Sequence, residues 1–198
     1  VSSGQEQARE ALRARQGAGA RYDAATAPAQ DLDLARRGTA YFARILTNLS
    51  DKELYGASAL RGKNRRWVVA AISLQARMIA DAIACVRTDL TQLPFAYFVD
   101  PSEIALAATL PSQALRNLFA HSEVHLNVEW RDLTDKDWES SIKDSHGRMV
   151  LVHHTPRIRA YRLWRCALQL KAGARMSDLP PEIDAGGPDG NDPLPALD

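Results

Sequence analysis

The chain has 198 residues, 45% of them hydrophobic and 25% charged, with a formal net charge of +1. That length suits one domain with a core of its own. The even charge excludes the basic excess with which proteins grip nucleic acid. No apolar run reaches the roughly 18–20 residues of a bilayer span. The opening VSSGQEQAREALRARQ lacks the apolar stretch of a secretory leader. These features predict a cytoplasmic protein that binds neither nucleic acid nor membrane.

Residues 5–16 read as helical, and GAGARYDAATAP then breaks the pattern, so residues 1–28 are expected to form a short arm. A first long helix is predicted over about 31–48, with Leu32, Ala35, Phe42, Leu46 and Leu49 as its apolar stripe. Ser50 and Glu53 have capping-box spacing and predict a short helical turn. A second long helix covers about 64–88, with Val68, Ile72, Ile79, Ile83 and Val86 on one face. TQLPFAYFVDPSE is a connection.

A third helix is expected within 101–131, with Pro111 as its one point of interruption, and Leu115, Leu118, Phe119, Ser122, Leu126 and Glu129 inward. His146-Gly147 separates two short strand-like runs and predicts a hairpin. Pro156 suits the first turn of a fourth helix that stops near Gly173. The tail from 184, rich in Pro, Gly and Asp, has too little apolar surface to order. The simplest architecture is an all-α four-helix bundle with a small hairpin before the last helix. Its main domain is residues 29–183.

Bundles build sites from side chains on facing helices, so inward polar residues carry the information. His121, His125 and Glu129 follow at i+4 spacing. They read either as a weak metal pattern or as a His125–Glu129 hydrogen bond at a polar end of the core. In RAYRLWRCALQL (159–170), Arg162, Cys166 and Gln169 share one face. Arg162 can stabilise a thiolate one turn on, or grip a carboxylate. It can equally reach the surface or pair with Glu129. Cys85 and Cys166 form no C-x-x-C pair, which excludes a zinc ribbon and a thioredoxin-type motif and leaves reduced thiols. The four tryptophans, Trp67, Trp130, Trp138 and Trp164, read as packing residues.

The segments RARQGAGARYDA (13–24), ARRGTAYFARIL (35–46), LRNLFAHSEVHLNVEWRDL (115–133), HGRMV to TPRIRA (146–160) and DLPPEI (178–183) together resemble the maleylpyruvate isomerase family. The resemblance implies a DinB-like bundle and cis–trans isomerisation by reversible addition of a thiol cofactor, mycothiol or glutathione. It also implies a divalent metal, typically zinc, held by a His on the second long helix and a Glu-x-x-x-His pair on the fourth. This sequence departs from that pattern. Ala71 stands at the His position, and Trp67 where many relatives have another His. Arg162 stands at the Glu, Cys166 at the second His, and Gln169 at a following Asp. His121, His125, Asn127, Glu129 and Arg131 belong to a segment shared with the family. The tail has no globular pattern, so the C-terminal extension of longer relatives is expected to be missing.

Three functions follow as expectations. The first is a metal-independent isomerase or cyclase acting on a small anionic or polar metabolite in a bacterial pathway. Cys166, Arg162, His125 and His121 would be catalytic there. Arg162, Gln169, Trp67, Ala71 and Glu129 would line the substrate site, with no metal and with an external thiol as the one cofactor admitted. The second is a non-catalytic small-molecule carrier or partner protein. The third keeps thiol-dependent isomerisation with the metal moved to His121 and His125. A monomer or homodimer suits each.

Overall fold

Apolar residues at helical spacing give four long helices, and what interrupts them is local and nameable. The computed structural model describes residues 23–88, 99–143 and 148–184. Helix α1 (Ala29–Asn48) buries Leu32, Ala35, Phe42 and Leu46. Helix α2 (Asp51–Leu54) starts on the Ser50–Glu53 capping box. Helix α3 (Arg65–Thr88) is alanine-rich, the residue type that costs least in a helix. The expected third helix is two helices, α4 (Pro101–Ala107) and α5 (Ser112–Asp132). They separate because Pro111 lies extended before α5. The buried Arg66 guanidinium takes up the freed carbonyls, donating to Ala108 O at 2.8 Å and to Leu110 O.

Helix α6 (Asp135–Trp138) follows a second capping box, Thr134 with Asp137. Strands β1 (Ser141–Lys143) and β2 (Met149–Leu151) then pair antiparallel, Ile142 opposite Val150. The expected turn at His146-Gly147 lies outside the described residues, as do the helix over 5–16 and the tail from 185. Helix α7 (Thr155–Gln169) carries Pro156 in its first turn. It ends earlier than the sequence suggested, because Lys171 is left-handed (φ 51°) ahead of Gly173 (φ 98°). Helix α8 (Pro181–Asp184) closes the described chain.

The result is the expected all-α bundle with a two-stranded hairpin before the last long helix. Helices α3 and α5 pack together, α1 packs on α7, and α3 on α7. By length and composition alone α3 could cross a bilayer, contrary to the sequence reading, but 67% of its apolar window is buried inside the bundle. Its apolarity is that of a central helix.

The core divides into two apolar clusters. One contains Leu32, Ile79, Ile83, Leu126, Trp130, Trp138 and Trp164. The other contains Phe42, Leu46, Val68, Ile72, Leu115, Phe119, Leu163 and Cys166. Between them runs a polar layer to which all four long helices contribute. Arg159 of α7, 0% exposed, donates to Ile72 O at 2.7 Å and Gln75 Oε1 at 2.8 Å, both on α3. It is ion-paired with Glu123 of α5. Thr39 Oγ1 of α1 donates to Glu123 Oε2 at 2.9 Å. Ser73 and Ser122, also buried in this layer, return their hydroxyls to Val69 O and Phe119 O of their own helices.

Candidate functional site

The α3–α7 face beyond the polar layer gathers most of the sequence-predicted site residues. Two contacts fix how the helices run past each other. Arg159 reaches the Ile72 carbonyl. At the other end Arg65 donates from Nε to Leu170 O and from Nη2 to Lys171 O, both at 2.8 Å. The helices are therefore antiparallel, and the Ala71 turn of α3 lies beside the Arg159–Arg162 turn of α7. Cys166 is 6% exposed among aliphatic side chains, and Trp67 and Ala71 pack on the same cluster. Arg162, one turn before Cys166, is half-buried.

The segment after α2 closes this end. Ala57 bridges Asn64, and Ala59 N donates to Gln169 O at 2.8 Å. Arg65 Nη1 also donates to Glu53 O at 2.9 Å. Ala59 N and the Nε and Nη2 donors of Arg65 satisfy carbonyls that the end of α7 leaves unpaired, and Arg65 Nη1 ties the same guanidinium to α2. Asn64 Oδ1 accepts from Trp67 N, and the Lys63 ammonium lies 3.6 Å from the Trp67 ring centroid. Gln169 is 3% exposed, and its Nε2 has no hydrogen-bond partner.

Other predicted residues stand elsewhere. Glu129 accepts from Arg87 Nε at 3.1 Å. Arg87 lies sixteen residues along α3 from Ala71, about 24 Å at 1.5 Å per residue. Glu129 therefore belongs to the far end of the bundle and does not line a site with Ala71. His125 Nε2 is 3.5 Å from Glu129 Oε1, the pairing that the i+4 spacing offered. His121 and His125 are both exposed, on the outer side of α5 rather than toward the core. Sequence reasoning missed Arg159 and Glu123. Arg159 is seven residues before Cys166 and shares its face, a signal present in the same stretch.

The resemblance implies a metal at Ala71, Arg162 and Cys166, and the donor set does not fit one. Ala71 has no lone pair, Arg162 brings a positive charge, and a lone thiolate falls short of the three protein ligands of a catalytic zinc site. Among the described residues no group of three or more His, Cys, Asp and Glu side chains is placed to hold a metal. That statement covers His121 and His125 as well.

The sequence model described as the mycothiol maleylpyruvate isomerase N-terminal domain matches residues 35–165. The chain belongs to this family. Two solved structures, of the mycothiol-dependent maleylpyruvate isomerase and of a variant with one histidine changed to alanine, each align at a TM-score of 0.73 and 31% identity. Each alignment covers 79% of this chain and 65% of the relative, so the chain spans less than two-thirds of those proteins. No curated protein matches it. The maleylpyruvate isomerase relationship accounts for the bundle, and the match runs from the second turn of α1 to within one residue of Cys166.

Proposed function

We propose that this chain is a divergent, metal-independent member of the maleylpyruvate isomerase family. It acts as an isomerase or cyclase on a small anionic or polar metabolite at the α3–α7 face. The observation that carries the reading is the coincidence of family membership over 35–165 with Ala71, Arg162 and Cys166 at the positions implied for the metal ligands. The solved relatives are mycothiol-dependent, so thiol chemistry is the starting point. A thiolate adds to the alkene carbon β to a carbonyl, forming a C–S bond and moving the π pair onto the carbonyl oxygen as an enolate. Rotation about the new single bond follows. The enolate then collapses, re-forms the alkene in the trans geometry and expels the thiolate. Without a cation, the enolate oxygen is stabilised by N–H donors, and Arg162 and Gln169 are the side chains of that type on this face. Two thiols compete for the nucleophile's role, an external one such as mycothiol or glutathione, and Cys166 itself.

The test is an isomerisation assay with maleylpyruvate, with and without mycothiol and with and without a chelator. Turnover indifferent to chelator is expected. Dependence on added mycothiol makes the thiol external, whereas turnover without it that Cys166→Ser abolishes makes it Cys166. Loss of all activity on chelation would sink the metal-independent reading. A carrier without turnover is the second reading, favoured by the change of all three ligand positions at once. Stoichiometric binding with no turnover under any condition would select it.

A further inference from the structure

Over the whole chain 25 Lys and Arg nearly balance 24 Asp and Glu, but the end of the bundle where α7 stops is not balanced. Ser58 N donates to Lys63 O at 3.0 Å, Ala59 N to Gln169 O at 2.8 Å, and Arg65 Nη2 to Lys171 O at 2.8 Å. These bonds hold the loop between α2 and α3 against the α7 terminus. Exposed Arg61, Lys63 and Lys171 therefore stand on one rim, with exposed Arg175 four residues further on. Among the described residues Arg61, Lys63 and Lys171 take part in no salt bridge. The acids of neighbouring α2 are engaged, Asp51 with Arg116 and Glu53 in the Ser50 capping box. Beside this rim the half-buried Trp67 ring lies under the Lys63 ammonium, 3.6 Å from it.

We propose that this basic rim docks the chain's own C-terminal segment, residues 189–198, as an acidic strap beside Trp67. Charge and length both point to that occupant. Residues 185–198 carry three aspartates, Asp189, Asp192 and Asp198, and no Lys or Arg. Their two leucines, Leu194 and Leu197, suit the partly buried Trp67 and Leu60 next to the cations. The segment starts from a fixed point, because Arg157 Nη2 donates to Glu182 O at 2.7 Å and Ile183 is buried. Arg157 and Gln169 lie twelve residues apart on α7, about 18 Å. Eight extended residues, 185–192, span about 26 Å, so Asp192 reaches the rim and Leu194 passes it. The tether gives the segment an effective concentration of about 1 mM at its target, and a contact whose free-peptide Kd is about 1 mM is then about half formed. Ion pairs this exposed are weak and sensitive to salt, so the strap opens readily. Trp67 and Ala71 belong to the face assigned to catalysis above, so a docked strap lies at the edge of that face; this consequence alone rests on that reading.

Fluorine NMR of the chain labelled with fluorotryptophan tests the inference, with Trp67→Phe assigning the Trp67 resonance. Trp130, Trp138 and Trp164 are buried and serve as internal controls for folding. Deleting residues 185–198 is expected to shift the Trp67 resonance and leave the other three in place. Replacing Asp189, Asp192 and Asp198 together by Asn should reproduce that shift. Arg61→Glu combined with Lys171→Glu, which leaves Lys63 on the ring, should do the same from the other side. In 1 M sodium chloride, where the screening length falls to about 3 Å, the full and shortened chains should become alike. A synthetic peptide of residues 185–198 added to the shortened chain should return the resonance, half-way at about 1 mM. The proposal is overturned if the deletion leaves Trp67 unmoved, if the asparagine variant behaves as the full chain, or if the difference survives 1 M salt. A shift that grows with protein concentration overturns docking within one chain and places the segment on a second copy. None of these readouts depends on turnover, so failure of the functional reading and failure of the strap are seen separately.

Discussion

The two apolar clusters on either side of the Arg159 layer are built differently. The one around Trp138 is aromatic and closed, with Trp130, Tyr161 and Trp164 in it, and Trp130 Nε1 donating to Thr155 Oγ1 at 3.0 Å. Its flanking charges are paired, Arg36 with Asp23 and Arg87 with Glu129. The one around Phe42 and Leu163 is mostly aliphatic apart from the Phe42–Phe119 ring pair, and it holds the buried thiol of Cys166 and borders the orphan amide of Gln169. Each half keeps a buried donor unpaired, Trp138 Nε1 in the first and Gln169 Nε2 at the border of the second. The second half also holds the Cys166 thiol, with Trp67 and Ala71 packed against it, and is the half in which we propose the site.

Mutations should separate the halves and the layer between them. The largest loss is expected for Arg159→Met, about 3–5 kcal/mol, because it strands Glu123 with a 10% exposed side chain. Adding Glu123→Leu should restore much of that loss in urea unfolding. A double variant as weak as the single would show that the layer matters beyond the charge pair. In the aromatic half, Trp138→Ala should cost about 3–5 kcal/mol by the same measurement. The partly exposed Trp67→Ala should cost about 1 kcal/mol and show itself chiefly in ligand binding. Equal losses would erase the distinction between scaffold and site.

A smaller effect tests the α1–α7 seam. A Cβ on Gly38 would lie 2.9 Å from Trp164 Nε1 and 3.2 Å from Leu163 Cβ, so Gly38→Ala should lower stability by about 1–3 kcal/mol despite its better helix propensity. A rise in melting temperature would mean the seam has slack.

The smallest effect is electrostatic. Burial, then the hydrogen bond to Asp178, pushes Tyr41 up to about 12. The same bond, largest among the causes, holds Asp178 below the usual carboxylate range. A raised folded value means that the contribution of Tyr41 is complete below the ordinary tyrosine value near 10 and is lost as pH rises through about 12. Asp178 is the mirror case. Its contribution is present above the ordinary aspartate value and is lost as pH falls through the lowered one. Difference absorbance titration against Tyr41→Phe should place the phenolate near 12, and Asp178→Asn should bring it down.

The long helices were legible because Leu32, Phe42, Val68, Ile72, Leu115 and Leu126 repeat at helical spacing and all are buried. The break at Pro111 was legible only as a point of interruption, since nothing local announces that Arg66, more than forty residues earlier, will satisfy the carbonyls there. The grouping of Ala71, Trp67 and Cys166 followed from the family resemblance, not from spacing. Glu129 misled because an inward face was taken for a shared level. Periodicity tells which side of a helix a residue is on, but not how far along the bundle it meets its partners. The polar layer was missed for the same reason. Thr39, Gln75, Glu123 and Arg159 are each unremarkable in their own helices, and become a unit only when four helices align.

That layer also predicts an order of events in folding. Thr39 meets Glu123 across 84 positions, and Arg159 meets Ile72 across 87. Neither contact can form within a pair of neighbouring helices, and each must first close a long loop before it returns any energy. The layer therefore closes last, when the final long helix docks. Until then the chain holds a charged guanidinium and a carboxylate that favour water over the half-built interior. Arrival of α7 makes the molecule whole at one step, so partially assembled forms should be short-lived and the refolding of this helical protein slower than its local contacts alone would allow.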